Sequence, residues 1–363
     1  MKFRCERDVL VEALATAQRA TSSRATLPVL SGLRLSLSGD ELRLTGSDLD
    51  LTITTVVKVS GEDDGVAVLP AKFVVDIVRS LEGGAVEIDT DGEAARISGG
   101  RSNFRLHTIP ADEFPNLVEP DGERVVLTAA DLSEGLRQVV KAASRDESRP
   151  ILTGVLLAAE GQGLRMVSTD SYRLAVRDLP GTTALKEGQT VLVPSKALDE
   201  LARVLASDTE VTLVLGERDA SFQVGDFQLT TRLIEGEFPN YRGLIPTSQA
   251  NKLVVDRHAL LEAVRRVRLM ARENSPVRLS MSAGQLELRA VTLDVGEATE
   301  QLDATYDGDE LTVAFNPEYL VDGLEVTPGE EISLETLDSL KPALLRPLDD
   351  ADFLYLLMPV RVS

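Results

Sequence analysis

The 363-residue chain has one cysteine, two histidines and no tryptophan, and only 4% of it is aromatic. Cys5 alone cannot close an internal disulfide, which fits a reducing compartment and leaves the fold to packing. His107, in a strand pattern, and His258, at a helix start, do not form a metal-ligand spacing such as HExxH. Neither a GxSxG nucleophile elbow nor a GxxxxGK(S/T) phosphate loop occurs. No apolar run approaches the roughly 18 residues a membrane helix needs, and the opening MKFRCERDVL has no apolar signal core. A cytoplasmic protein without a membrane association is expected.

Positive charge is also scarce, with 38 lysines and arginines against 59 acids and a formal charge of -21. Spread evenly, that charge would exclude nucleic acid as a partner, so its distribution matters more than its sum. Among so many acids, pairs such as Asp48 and Asp50 or Asp349 and Asp350 arise by chance and do not indicate a metal or acid/base centre. Aromatics do not interleave with basic residues as they do where single-stranded bases stack. These absences point to a binding protein with no cofactor and no catalysis.

What the chain does contain is a repeat of about 122 residues. Leu33, Leu35, Leu42 and Leu44 return as Val155, Leu157, Leu164 and Met166, and again as Val277, Leu279, Leu286 and Leu288. Each set alternates with polar residues on two arms joined by a turn, Ser38-Gly39-Asp40, Gly161-Gln162-Gly163 or Ser282-Ala283-Gly284, which is the pattern of a β-hairpin. The period is too long for a solenoid unit, so each copy is expected to be a domain with its own core: 1–122, 123–250 and 251–363. A second helix pattern follows a short strand near a proline in each copy, at 66–81, 190–205 and 311–326. Each domain is therefore expected to be an α+β unit of two helices and about eight strands.

One helix pattern in each copy carries cations. The stretch 257–272 holds Arg257, Arg265, Arg266, Arg268 and Arg272 against Glu262, with Leu260, Leu261, Val264 and Val267 on the opposite face. The second copy offers Arg137, Lys141, Arg145 and Arg149, though balanced by acids, and the first Arg19 and Arg24. A single basic helix face is ordinarily just solvated. Three at equivalent places could line one surface.

The segments MKFRCERDVL, SSRATLPVLSGLRL, STDSYRLAV, LVPSKALDEL, LIEGEFPNYRGLIP, FNPEYLVDGL and LMPVRVS, in this order along the whole chain, resemble the bacterial DNA polymerase III beta subunits, the sliding clamps. The resemblance implies a head-to-tail homodimer whose six domains form a pseudo-sixfold ring, helices lining the hole and sheets outside. It implies a non-catalytic processivity factor that encircles duplex DNA without reading sequence and is placed there by a clamp-loader ATPase. The replicative polymerase, other polymerases and repair factors would be tethered through short peptides. Matching positions assign Arg24, Arg149 and Lys196 to DNA; Arg137 and Lys141 are added from helical periodicity alone.

For the peptide pocket, the resemblance implies Leu152, Thr169, Ser171, Tyr172, Arg173, Leu174, Pro239, Gly243 and Leu244. From the third domain it implies Asn316, Tyr319, Leu340, Met358, Pro359, Val360 and Arg361. Apolar members would form a floor, with Arg173 and Arg361 holding a peptide's polar atoms. Without the resemblance, LYLLMP reads as a buried core strand. Phe104, Leu106, Arg268 and Leu269 match the subunit contact. Ser171 stands where the family commonly has glycine, Gly243 where it often has arginine, and Asn274 where a large apolar residue can sit; Arg268 replaces a residue often aliphatic. A peptide-binding hub that never meets DNA would leave three basic helices unexplained, and an enzyme with dispersed carboxylates would require a convergent cleft and a metal.

Overall fold

The computed structural model describes residues 1–22, 27–206, 209–271 and 275–361. The first repeat runs β1 (Lys2–Glu6), α1 (Arg7–Gln18), β2 (Gly32–Ser38), β3 (Glu41–Ser47), β4 (Leu51–Lys58), β5 (Ser60–Asp63), β6 (Gly65–Pro70), α2 (Ala71–Ser80), β7 (Ala85–Thr90), β8 (Ala94–Gly99) and β9 (Ser102–His107). The second runs β10 (Arg124–Thr128), α3 (Ala129–Val139), β11 (Gly154–Glu160), β12 (Gly163–Thr169), β13 (Arg173–Pro180), β14 (Thr190–Pro194), α4 (Ser195–Ala202), β15 (Glu210–Leu215), β16 (Asp219–Val224) and β17 (Phe227–Arg232). The third runs β18 (Asn251–Asp256), α5 (Arg257–Val267), β19 (Val277–Ser282), β20 (Gln285–Thr292), β21 (Gly296–Asp303), β22 (Thr305–Asp307), β23 (Leu311–Phe315), α6 (Pro317–Val326), β24 (Glu331–Thr336), β25 (Ala343–Pro347) and β26 (Phe353–Leu357).

The twelve apolar residues that define the repeat are all at most 3% exposed, on the inner faces of the three hairpins β2–β3, β11–β12 and β19–β20. Alternation therefore did what its period requires, placing one row of side chains in the core. Gly39 and Gly161, in the first two hairpin turns, have φ of 56° and 57°, a left-handed conformation that glycine adopts without a Cβ penalty. The prolines before the second helices sit at helix entry: Pro70 is the N-cap of α2, Pro194 ends β14 directly before α4, and Pro317 opens α6. No helix among the described residues is long and apolar enough to cross a membrane.

The chain divides into two compact units, Met1–Ala130 with Glu200–Leu233, and Asp131–Asp199 with Ile234–Ser363. This division cuts through the second repeat because the sheets are continuous across repeats. In the first unit, β4 of the first repeat pairs antiparallel with β17 of the second, giving the order β10-β15-β16-β17-β4-β3-β2-β6. In the second unit, β13 of the second repeat pairs in the same way with β26 of the third, giving β14-β11-β12-β13-β26-β25-β24-β18-β22. Two shorter sheets remain, β5-β1-β7-β8-β9 and β21-β20-β19-β23. Their edges β9 and β21 are the topological counterparts of β26 and β13, and neither has a partner on its outer side among the described residues.

Helices cover these sheets through apolar stripes. In the first unit, Leu10, Leu14 and Ala17 of α1 and Val74, Val75 and Val78 of α2 join Phe3, Leu33, Leu35 and Ile88 in one core. In the second, α5 buries Leu260, Leu261, Val264 and Val267, and α6 buries Leu320, Val321 and Leu324.

Candidate functional site

The β12–β13 connection in the second unit shows how local sequence aims a side chain. The Asp170 carboxylate accepts hydrogen bonds from the backbone N–H groups of Tyr172 at 2.9 Å and Arg173 at 3.0 Å. The Thr169 hydroxyl accepts one from Ser171 N–H at 3.1 Å and donates to the Arg173 carbonyl at 2.6 Å. The turn holds Ser171 at φ 83°, which explains why glycine suits this position. The first repeat builds the same turn 122 residues earlier. Asp48 accepts from Asp50 and Leu51, Ser47 accepts from Leu49, and Leu49 has φ 80°. The second-repeat turn differs in what it presents, leaving Tyr172 58% exposed and stacked on Tyr319 with ring centres 6.5 Å apart. Tyr319 is fixed by the start of α6, where the Asn316 side chain caps Glu318 N–H at 2.8 Å.

Beneath these rings lies Arg173, only 9% exposed. Its guanidinium donates to Asp170 at 3.0 Å, to Asp322 of α6 at 2.6 Å and to the Tyr355 hydroxyl of β26 at 3.3 Å, and lies 4.4 Å from the Tyr319 ring centre. Burial pushes the Tyr355 phenol far above its ordinary range, so it stays protonated. Arg173 is thus committed to tying β13, β26 and α6 together, rather than held open for a peptide's polar atoms as its sequence position implied. A cleft of about 490 Å³ opens beside it, lined by Arg145, Arg149, Tyr172, Arg268, Tyr319 and Asp322 among others.

The apolar candidates separate into buried and exposed sets. Leu174 is 1% exposed and shares a core with Val167, Val176, Tyr241, Leu344 and Leu356; Leu152 and Thr169 are also buried. β26 is buried throughout, as the core-strand reading of LYLLMP expected, but exposure resumes at Met358. The tail then stays attached. Met358 N–H donates to the Tyr172 carbonyl and Val360 N–H to the Ala314 carbonyl, each at 2.8 Å, which ties Met358 to the β12–β13 turn and Val360 to β23. Leu244, Leu340, Met358 and Tyr172 are the large apolar groups of the set left to solvent. Pro239, Gly243 and Arg361 are exposed too, and Asn316 is half-buried.

Four of the five candidate DNA residues lie among the described residues. Arg24 lies outside the described residues, as do Arg272, Asn274 and Ser363. Lys196 is exposed in the first turn of α4. Arg149 bonds Asp146 at 3.0 Å and the Ser171 hydroxyl at 3.3 Å, which places it on the cleft with the peptide candidates. Arg137 and Lys141 reach α6: Arg137 donates to the Glu325 carbonyl at 3.1 Å, and Lys141 pairs with the Glu325 carboxylate at 2.6 Å. Arg265 of α5 binds the other Glu325 oxygen at 2.7 Å.

Comparison with known proteins decides the family. The model of the DNA polymerase III beta subunit N-terminal domain matches residues 1–118, that of the central domain 126–240, and that of the C-terminal domain 242–361. The chain belongs to the DNA polymerase III beta subunit family. It is 39% identical over 375 residues to the beta sliding clamp of Streptomyces coelicolor and 34% identical over 376 residues to that of Bacillus subtilis, with at least 99% of each chain covered. Its three-domain fold superposes on the B. subtilis DNA polymerase sliding clamp with a TM-score of 0.92 at 32% identity. A Pseudomonas aeruginosa sliding clamp bound to griselimycin gives a TM-score of 0.92 at 33% identity; both structures are covered completely, as is this chain.

In this member of the beta subunit family, the candidate subunit-contact residues lie on the two unpaired edges or next to them. Phe104 is exposed and Leu106 half-buried on β9. Arg268 and Leu269 occupy the 3₁₀ turn after α5, with Leu269 80% exposed. Residue-by-residue reading missed Leu293 and Val295, in the turn that leads into β21. Leu293 is 96% exposed, and this turn is fixed to the Leu269 turn by the Thr292 hydroxyl, which donates to the Met270 carbonyl at 2.6 Å. The signal was present as three apolar residues, Val291, Leu293 and Val295, alternating through a turn with no buried face to meet.

Proposed function

We propose that the chain closes with a second copy into a head-to-tail ring that encircles duplex DNA, acting as a cytoplasmic, non-catalytic processivity subunit of three domains, 1–122, 123–250 and 251–363. One observation carries this reading: the way repeats pair through their sheets. The third hairpin strand of one repeat pairs with the last strand of the next at β4–β17 and β13–β26, while β21 and β9 lack that partner among the described residues. Joining β21 of one copy to β9 of another would give β5-β1-β7-β8-β9-β21-β20-β19-β23, nine strands like the sheet containing β13 and β26. Charge is compatible with the union, since β9 carries Arg105 and β21 carries Asp303 besides Glu297 and Glu300, which pair with Arg289 and Arg266 of their own copy. Phe104, Leu106, Arg268 and Leu269 would meet there, joined by Leu293 and Val295. An unsatisfied pair of strand edges is otherwise an aggregation hazard.

Inside such a ring, Arg24, Arg137, Lys141, Arg149 and Lys196 would attract phosphates without reading bases. The acidic remainder would keep DNA off other surfaces. Partner peptides, from the replicative polymerase, the clamp loader and other polymerases or repair factors, would dock over Tyr172, Leu244, Leu340 and Met358, with Tyr319, Asn316, Pro239 and Gly243 as further contacts. Leu152, Thr169, Ser171, Arg173 and Leu174 would support that surface from below, and Pro359, Val360 and Arg361 would border it. Relatives solved with griselimycin bound support a ligand site in the family.

The test is topological. Once loaded by a clamp loader on nicked circular DNA, the protein should survive a salt wash and be lost after the circle is cut. Equal retention on circular and linear DNA would identify an ordinary DNA binder, and no retention on either would favour the peptide hub.

A further inference from the structure

The second helix of the third repeat differs in charge from its counterparts. Whereas α2 carries Lys72 and Arg79 and α4 carries Lys196, α6 has no cation. Its less buried positions Glu318, Asp322 and Glu325 fall at i, i+4 and i+7, one acidic stripe opposite Leu320, Val321 and Leu324. Two neighbouring helix faces meet this stripe. From the α3 side, Lys141 lies 2.6 Å from Glu325 and 3.9 Å from Asp322, and Arg137 donates to the Glu325 carbonyl. From α5, Arg265 lies 2.7 Å from Glu325 and 2.7 Å from Glu262. Arg257 completes the arrangement by donating to the Leu324 carbonyl at 3.2 Å, near the negative end of α6. A single carboxylate therefore holds two cations of a face otherwise suited to phosphate.

We infer that Glu325 is an internal counter-ion that withholds Lys141 and Arg265 from DNA and so keeps the ring's grip weak enough to slide. The inference rests on the reading that this face meets DNA. A phosphate can recruit either cation only by displacing Glu325, so the net attraction is smaller than a count of arginines and lysines predicts. The groups are all partly exposed, and exposed pairs of this kind exchange partners readily. Stability alone does not require the arrangement, because α6 is already anchored by its buried stripe and by Arg173 on Asp322.

The test is fluorescence anisotropy of the full-length protein with a short labelled duplex across a salt series, with melting curves to confirm folding. Each additional phosphate neutralised should steepen the plot of log affinity against log salt by about 0.9, equivalent to about 3.5-fold over a fourfold change in salt. Glu325→Gln should free cations for one or two such phosphates, and the steeper slope should vanish when Lys141→Ala and Arg265→Ala are added. Glu325→Ala provides a second route if the glutamine variant does not fold. An unchanged slope in Glu325→Gln, with a shallower one in Lys141→Ala or Arg265→Ala alone, would overturn the inference while leaving the DNA face intact. A steeper slope that persists without both cations would also overturn it. No effect of removing Lys141 and Arg265 in either background would reject the DNA-facing reading itself, and the inference with it.

Discussion

At the residue scale, Ser171 and Arg173 illustrate opposite consequences of one turn. Ser171 adopts a left-handed backbone conformation that costs an ordinary residue about 1–2 kcal/mol. Glycine avoids that strain but loses more entropy on folding, so Ser171→Gly should stabilise the second unit by about 0.5–1 kcal/mol, read as a higher denaturant midpoint. A lower midpoint would show that the Ser171 hydroxyl's bond to Arg149 dominates. Arg173→Ala should cost about 3–5 kcal/mol, because it strands Asp170 and the buried Tyr355 hydroxyl. Arg173→Lys should recover little of it, since one ammonium cannot reproduce the guanidinium fork. Loss of peptide binding in either variant would then accompany loss of structure. Leu174 carries the same warning, for a charge placed there enters the core. Leu244→Asp, on an exposed group, is the cleaner probe: peptide affinity should fall with the melting curve unchanged, and unchanged affinity would put the peptide elsewhere.

At the scale of elements, the hairpins and second helices were legible because hydrophobic period and proline position act locally. The capping turn at Asp48 and again at Asp170 was not, because its signal is a few hydrogen bonds without a hydrophobic period. Nor could periodicity show that the cations of α3 and α5 would meet acids of α6, which depends on packing between distant segments. Glu325 has a carboxyl pKa held below its ordinary value of 4.5, first by the hydrogen bond from Lys141 and then by that from Arg265. A lowered carboxyl stabilises the fold above its unfolded pKa and loses that contribution as pH falls through the folded one. Wild type and Glu325→Gln should therefore differ in stability at neutral pH by the same amount as at about pH 5.5, and converge only below about 4.5. Convergence already near about pH 6 would assign the linkage to another group.

At the scale of the whole molecule, the repeat could be read from twelve apolar positions, but the continuous sheets could not, since strand pairing across repeats leaves no mark in the period. Those sheets supply the argument for a second copy. Leu269→Asp and Phe104→Asp each remove apolar burial worth about 1.5–3 kcal/mol at each of the ring's two contacts, about 3–6 kcal/mol in all, so either should weaken association by roughly 100- to 20,000-fold while leaving the protomer folded, as checked by sedimentation. Multi-angle light scattering of the unmodified chain at micromolar concentration decides whether two copies close a ring. A closed head-to-tail dimer gives one species of twice 39.2 kDa that does not grow with concentration. A clean 39.2 kDa monomer, or an open-ended series of larger species, would contradict it.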